Sequence, residues 1–367
     1  MKTALVIGGT GPTGPHIVNG LIDRGFEVTI LHSGLHEVEF KTDIEHIHAD
    51  VHFRETFEAA LGKRSWDLVV ASYGRLKLAV EVLQGHTGRV VALGGGPLAA
   101  RDDPRWGPLG PAANLDEVSG LQEESPERNK LGYQMAQAEE ALFRAHRAGH
   151  FSATQICYPI LYGPRQPAAH DWCIVRRVLD RRRQFIIADG GLKLEARAFA
   201  ANAAHAVLLA IDQPDIAAGK KYLVADDMLY TLRQRIEAIA DIMGHEFEFV
   251  DMPWDLALPC HVLWRFERGS RFRDTSRIRR ELGYADVVDS FSGLQQSVEW
   301  LLANRDASTK ELEEQLGDPF DYAREDVLIR QWQAARGQMT ELDYPLPARA
   351  HMYRHPAKIN ESWKRPA

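Results

Sequence analysis

A run of glycines directly after the first strand-like segment limits what this chain can build. Ala4-Leu5-Val6-Ile7 is a short buried-strand run, and Gly8-Gly9-Thr10-Gly11-Pro12-Thr13-Gly14 follows it at once. A helical pattern opens at Pro15, with Ile17, Val18, Leu21 and Ile22 on one face and Gly25 just past its end. Gly8, Gly11 and Gly14 give a GxxGxxG spacing. Missing side chains let the backbone turn tightly and let a pyrophosphate approach, and the last glycine allows close helix–strand packing. The helix N-terminus then offers unpaired N–H groups and a partial positive charge to the phosphates. Strand, turn and helix in this order predict a dinucleotide site spanning Gly8, Gly9, Thr10, Gly11, Pro12, Thr13 and Gly14.

Strands and helices keep alternating after this loop. Strands are expected at 26–31, 44–48, 67–70, 89–93 and 151–156, with helices at 53–61, 76–83 and 128–148 between them. That rhythm predicts an α/β fold, a doubly wound parallel sheet of Rossmann type with helices on both faces. A long Pro-, Gly- and Asp-rich stretch, 97–126, interrupts it. Further on, helices are expected at 171–183, 199–209, 232–243, 277–282 and 291–302. We therefore expect a dinucleotide-binding Rossmann domain over 1–160. A smaller α/β substrate domain follows over 161–306, with segments near 197–225 returning to the first, and then a C-terminal extension over 307–367. The 367 residues suffice for two folding units, and their net charge of −7 argues against a dedicated nucleic-acid partner. No run reaches the roughly 18 apolar residues that span a bilayer. Cys157, Cys173 and Cys260 form no disulfide pattern, and the N-terminus leads straight into a strand. A cytoplasmic protein without a membrane partner is the expectation.

The end of the second strand governs cofactor choice. An acid there would accept from the ribose hydroxyl of NAD. Here His32, Ser33 and Gly34 stand instead. Ser33 and a protonated His32 could bind a 2′-phosphate, so the reading covers NADP or NAD and leans to NADP. Asp50 could accept from the adenine amino group or cap the helix that starts near Phe53.

In combination, these features resemble the extended short-chain dehydrogenases/reductases of the NAD-dependent epimerase/dehydratase family. The markers are Gly8 to Gly14, Asp50-Val51, Ala71-Ser72-Tyr73-Gly74, Tyr133, Tyr158-Pro159, Tyr162-Gly163-Pro164, and the late Asp274-Thr275-Ser276-Arg277 with Glu281-Leu282-Gly283-Tyr284. The resemblance covers roughly residues 1–303. It implies that Asp50, Val51, Ala71, Ser72, Tyr73, Tyr158 and Pro159 line the cofactor, and that a small-molecule substrate lies near Gly96, Tyr162, Arg165 and Arg197. It also implies a catalytic Tyr, a Lys four residues on, and a Ser or Thr ending strand five. Tyr133 fits the first place, but Gln137 and Gly95 take the other two. Without an ammonium beside it, Tyr133 would be the weaker base. The expected function is an NAD(P)-dependent oxidoreductase or an epimerase/dehydratase-type enzyme acting on a small carbonyl, alcohol or sugar-like substrate. A non-catalytic NAD(P)-binding sensor and a non-redox lyase or isomerase stand as alternatives.

Other clusters fit several roles. Arg176, Arg177, Arg181, Arg182 and Arg183 form a basic helix, and seven arginines lie between Arg265 and Arg280. They could grip a diphosphate or pair with nearby acids. His46 and His48 would share a strand face, but no third ligand suggests itself, so no metal site is expected. Trp254, Pro259, His261 and Trp264 could line a pocket or fill a core. Aromatic residues in the tail suggest an arm in a homodimer.

Overall fold

A computed structural model describes residues 1–71, 75–95, 113–115, 117, 127, 130–263 and 269–339. Residues 1–321 form one compact unit and 322–367 a second. In chain order the strands are β1 Lys2–Ile7, β2 Phe26–His32, β3 Glu45–His48, β4 Leu68–Ala71, β5 Arg89–Gly95, β6 Ala113–Leu115, β7 Ser152–Tyr158, β8 Ile160–Tyr162, β9 Gln184–Ala188, β10 Arg197–Phe199, β11 Lys220–Leu223, β12 Glu248–Met252 and β13 Arg271–Arg273. The helices are α1 Gly14–Asp23, α2 Arg54–Leu61, α3 Leu76–Val82, α4 Lys130–Arg147, α5 Trp172–Leu179, α6 Ala200–Asp212, α7 Pro214–Ala217, α8 Leu232–Ile242, α9 Ser276–Leu282, α10 Ser290–Ala303, α11 Arg305–Leu316 and α12 Tyr322–Gly337.

Seven strands make one sheet in the order β11-β7-β5-β4-β1-β2-β3. Every pairing in it is parallel. Along β1, Ala4 and Val6 face a core shared with α1 and α6, through Ile17, Leu21 and Val207. Leu5 and Ile7 face a second core with Phe57 of α2, Leu76 of α3 and Leu142 of α4. Alternation along the strand thus feeds both layers. Strand order reverses between β1 and β4, so the loop after β1 lies where an open α/β sheet leaves a crevice. The fold is the expected doubly wound α/β type.

The segment near 197–225 adds β11 to the main sheet, where it pairs with β7. The boundary at 307 falls inside α11. Helix α5 stops at Leu179, since Arg181 takes a left-handed φ of 55°, and Arg181, Arg182 and Arg183 leave the helix. Helix α12 in the tail is sixteen residues long. The three cysteines are buried and unbridged.

Candidate functional site

Gly8 and Gly9 both lie in the left-handed region, at φ 100° and 95°. The Gly8 N–H donates to the Leu31 carbonyl at 2.8 Å, which ties the loop to β2, and the Gly14 N–H donates to the Gly11 carbonyl at 3.0 Å. A Cβ on Gly14 would stand 2.1 Å from the Gly9 carbonyl oxygen, whereas one on Gly11 would meet nothing within 4 Å. The turn is therefore closed on itself at Gly14 and open outward at Gly11. Thr13 caps α1 without a side-chain hydrogen bond. Gly14 spends its N–H on Gly11 and Pro15 has none, so in the first turn the His16 amide is the one left for an anion.

This loop opens onto a cleft of about 580 Å³. Its walls are Gly8, Gly9, Gly11, Pro12, Thr13 and Gly14, with Gly94 and Gly95 from β5 and Leu131 and Met135 from α4. Tyr158, Pro159, Gln166, His170 and Arg273 complete it. The volume is that of a cofactor or small-ligand site. Burial raises the Tyr158 phenol, so it stays protonated, and its hydroxyl lies near Thr13 without a hydrogen bond of good geometry. Arg273 carries a buried Nη1 with no partner among the described residues, and burial lowers its guanidinium to about 10. A buried guanidinium nitrogen without a partner among the described residues suits an anionic group. His170 donates through Nδ1 to the Ala168 carbonyl at 2.9 Å.

The wall thus contains eight of the expected cofactor residues, Gly8, Gly9, Gly11, Pro12, Thr13, Gly14, Tyr158 and Pro159, and also Gly95. Thr10, His32, Ser33, Asp50, Val51 and Ala71 are not among its lining residues. Ser72, Tyr73 and Gly96 lie outside the described residues. Asp50 is exposed and caps no helix. Its carboxylate accepts from the His52 amide at 2.8 Å and meets the His52 ring at 2.7 Å, closing a local turn.

The expected catalytic pair is not brought to the cleft. Tyr133 is half-buried and Gln137 exposed, and neither lines the wall. Leu131 and Met135, one helical turn apart, take the cleft-facing positions. Tyr133 lies about 200° around the helix from Leu131. The apolar stripe Leu131, Met135, Ala138 and Leu142 signals this phase, because Ala138 and Leu142 join the core on that side.

Of the expected substrate residues, Tyr162, Arg165 and Arg197 are not among the cleft's lining residues. The Tyr162 hydroxyl donates to Asp226 at 2.7 Å in a buried network. Asp226 also accepts from the Phe199 amide and from Asn202, while Arg235 stacks 4.6 Å above the Tyr162 ring. Arg165 is exposed, and Arg197 pairs with Glu195 at 3.3 Å. The arginine clusters are largely matched by acids. Arg176 meets Asp180 and Glu313, buried Arg177 meets Asp318, Arg277 meets Glu281, and Arg279 meets Asp227. Trp254 and His261 stack on each other at 3.8 Å, and Trp264 lies outside the described residues. One expectation is reversed: His46 and His48 do have companions, because His32 and Glu37 stand beside them.

No protein-family model matches the chain. An uncharacterized protein of Sinorhizobium fredii, y4nL, is 26% identical over 208 residues, a match that spans 50% of this chain and 57% of that protein. Among solved structures, the UDP-glucose 4-epimerase of Thermotoga maritima with UDP-glucose superposes with a TM-score of 0.65 at 18% identity, covering 83% of this chain and 100% of that one. The dTDP-glucose 4,6-dehydratase DesIV of Streptomyces venezuelae, with NAD and TYD bound, gives 0.62 at 20% identity, covering 83% and 98%. The chain shares the fold of these epimerases and dehydratases.

Proposed function

We propose that this chain binds a nicotinamide dinucleotide along the glycine loop and works as an NAD(P)-dependent enzyme of the oxidoreductase or epimerase/dehydratase kind. The substrate is a small carbonyl, alcohol or sugar-like molecule. One observation carries the reading: the loop closed at Gly14 and open at Gly11 faces a cleft of about 580 Å³ at the reversal of strand order. Gly8 to Gly14 and the His16 amide of α1 would hold the pyrophosphate. Tyr158 and Pro159 would close over the far end. A bound nicotinamide supplies hydride exchange with a carbonyl or alcohol carbon. Arg273 would bind an anionic group of the ligand, and the His170 imidazole on the cleft wall would take or return the proton. His32 is engaged with His46, so it is withdrawn from binding a ribose phosphate, and Ser33 keeps that role open for NADP. A second reading rests on Leu131 and Met135. A wall with apolar side chains at those two positions also suits a dinucleotide-binding sensor without turnover.

Titration of the purified protein with NADH and with NADPH, followed by nicotinamide fluorescence, tests the binding. Saturable binding of one of them is expected. If neither binds to folded protein, the reading fails. Bound protein is then screened for hydride transfer with carbonyl, alcohol and sugar-nucleotide substrates. Binding without transfer favours the sensor.

A further inference from the structure

The three imidazoles at the end of β2 and β3 meet for a topological reason. Parallel pairing sets His32 opposite His48 and Ile30 opposite His46. His46 and His48 are two residues apart and share a face. Gly34, at φ 77°, turns the chain after β2 so that Glu37 comes back over this face, and a Cβ at Gly34 would lie 3.4 Å from the His48 ring. His32 is buried, His46 half-buried, and His48 and Glu37 are exposed.

Their ligand atoms lie within 4.8 Å of one another. His32 Nε2 is 3.2 Å from His46 Nδ1. Glu37 reaches His46 Nδ1 at 3.1 Å and His48 Nε2 at 3.2 Å with its two oxygens. Zinc bound at about 2.0–2.1 Å from tetrahedral nitrogen and oxygen ligands spaces them about 3.3–3.4 Å apart. Glu37 turns a different oxygen to each of these two histidines, so with either oxygen as the ligand two edges of such a tetrahedron are nearly in place, one of them His32 to His46. Only His32 to Glu37, at 3.9 Å, must shorten appreciably among the measured pairs. The Gly34 N–H donates to His32 Nδ1 at 3.3 Å. Ligation through Nε2 puts the ring proton on Nδ1 and displaces that long contact.

We propose that His32, Glu37, His46 and His48 form a binding site for a divalent late transition metal, zinc by ligand set. Imidazole and carboxylate ligands suit zinc and its neighbours, and four protein ligands leave no open position, which marks a structural site. The metal fastens the 33–44 loop to β3, the outer strand of the main sheet. None of this depends on dinucleotide binding.

The test uses the full-length chain, stripped with chelator and titrated with Co²⁺ while the visible d–d bands are recorded. One cobalt per chain with the intense bands of tetrahedral coordination is expected, displaced by one equivalent of Zn²⁺. Thermal stability should rise when zinc is added. His46→Asn and Glu37→Gln, both at accessible positions, should each weaken metal binding by at least about a hundredfold while the metal-free circular dichroism stays unchanged. Absence of stoichiometric binding at micromolar metal overturns the proposal. So does binding that both variants retain, since it would come from other histidines.

Discussion

At Gly14 there is room for a hydrogen and little else, because the Gly9 carbonyl occupies the place of a side chain. Gly14→Ala must push that carbonyl aside, at a cost of about 1–3 kcal/mol. We expect a lower melting temperature and at least a tenfold loss of NADH or NADPH affinity, measured by fluorescence titration. The proton-handling assignment separates by two substitutions. His170→Gln should lower hydride-transfer turnover by about a hundredfold or more, whereas Tyr133→Phe should leave it within about twofold. Equal loss in both would return Tyr133 to the mechanism. The glycine turn was legible in the sequence because glycine is needed wherever φ is positive or the backbone is crowded, whatever lies around it. The position of Tyr133 off the cleft wall was not legible, for a different reason. A helical spacing of four fits Tyr133 with Gln137 and Leu131 with Met135 equally well, and only the packing of Ala138 and Leu142 fixes the phase.

Single elements show where local pattern suffices and where tertiary partners decide. Strands β1, β4 and β5 carry continuous apolar stretches buried on both faces and β2 alternates before it turns apolar, so their positions follow from hydrophobic pattern. The arginines of α5 read as one basic face, yet each of the two inside the helix has its own acid, brought from 137 or more residues away. No local signal carries that distance. The edge strand β11 is pinned in the same manner. Lys220 and the Tyr222 hydroxyl both donate to Glu281 of α9 at 2.8 Å. The Lys220 hydrogen bond, helped by Tyr222 and Arg277, brings the Glu281 carboxyl down to about 2. A carboxyl depressed in the folded state stabilises it above the unfolded pKa of about 4.3 and loses that contribution as pH falls towards 2. Glu281→Gln should therefore cost about 1 kcal/mol at pH 7 after solvent screening. The gap to the wild-type chain should narrow between about pH 4 and pH 2 in thermal melts. A constant gap over that range would remove the ion pair as its cause. Breaking the buried pair of Asp171 and Arg235, bonded at 2.7 and 2.6 Å, is more damaging. Arg235→Met should cost about 3–5 kcal/mol by leaving the Asp171 carboxylate buried and alone, read from urea denaturation.

For the whole chain, the glycine loop, the cleft and the His–Glu cluster all belong to the compact unit 1–321. Any dinucleotide bound there at a hundred times its dissociation constant adds about 2.7 kcal/mol to folding. Differential scanning calorimetry should show the main transition rising by several degrees with the dinucleotide that binds and by none with an inert nucleoside. The sequence carried the alternation that makes the sheet but not the order in which the chain returns to it. Strand β11 joins β7 only after a long excursion, and the Gly219 N–H donating to the Ala153 carbonyl at 2.7 Å closes the circuit. That order has a consequence for synthesis on the ribosome. Until Leu223 has emerged, β7 stands as an unpaired hydrophobic margin of a sheet that is otherwise assembled. The nascent chain must hold open a loop of more than sixty residues before the sheet can seal, a non-local closure of the kind that folds slowly. Translation stalled between Tyr158 and Leu223 would leave a product prone to join its neighbours edge to edge, and that interval is where a chaperone has the most to protect.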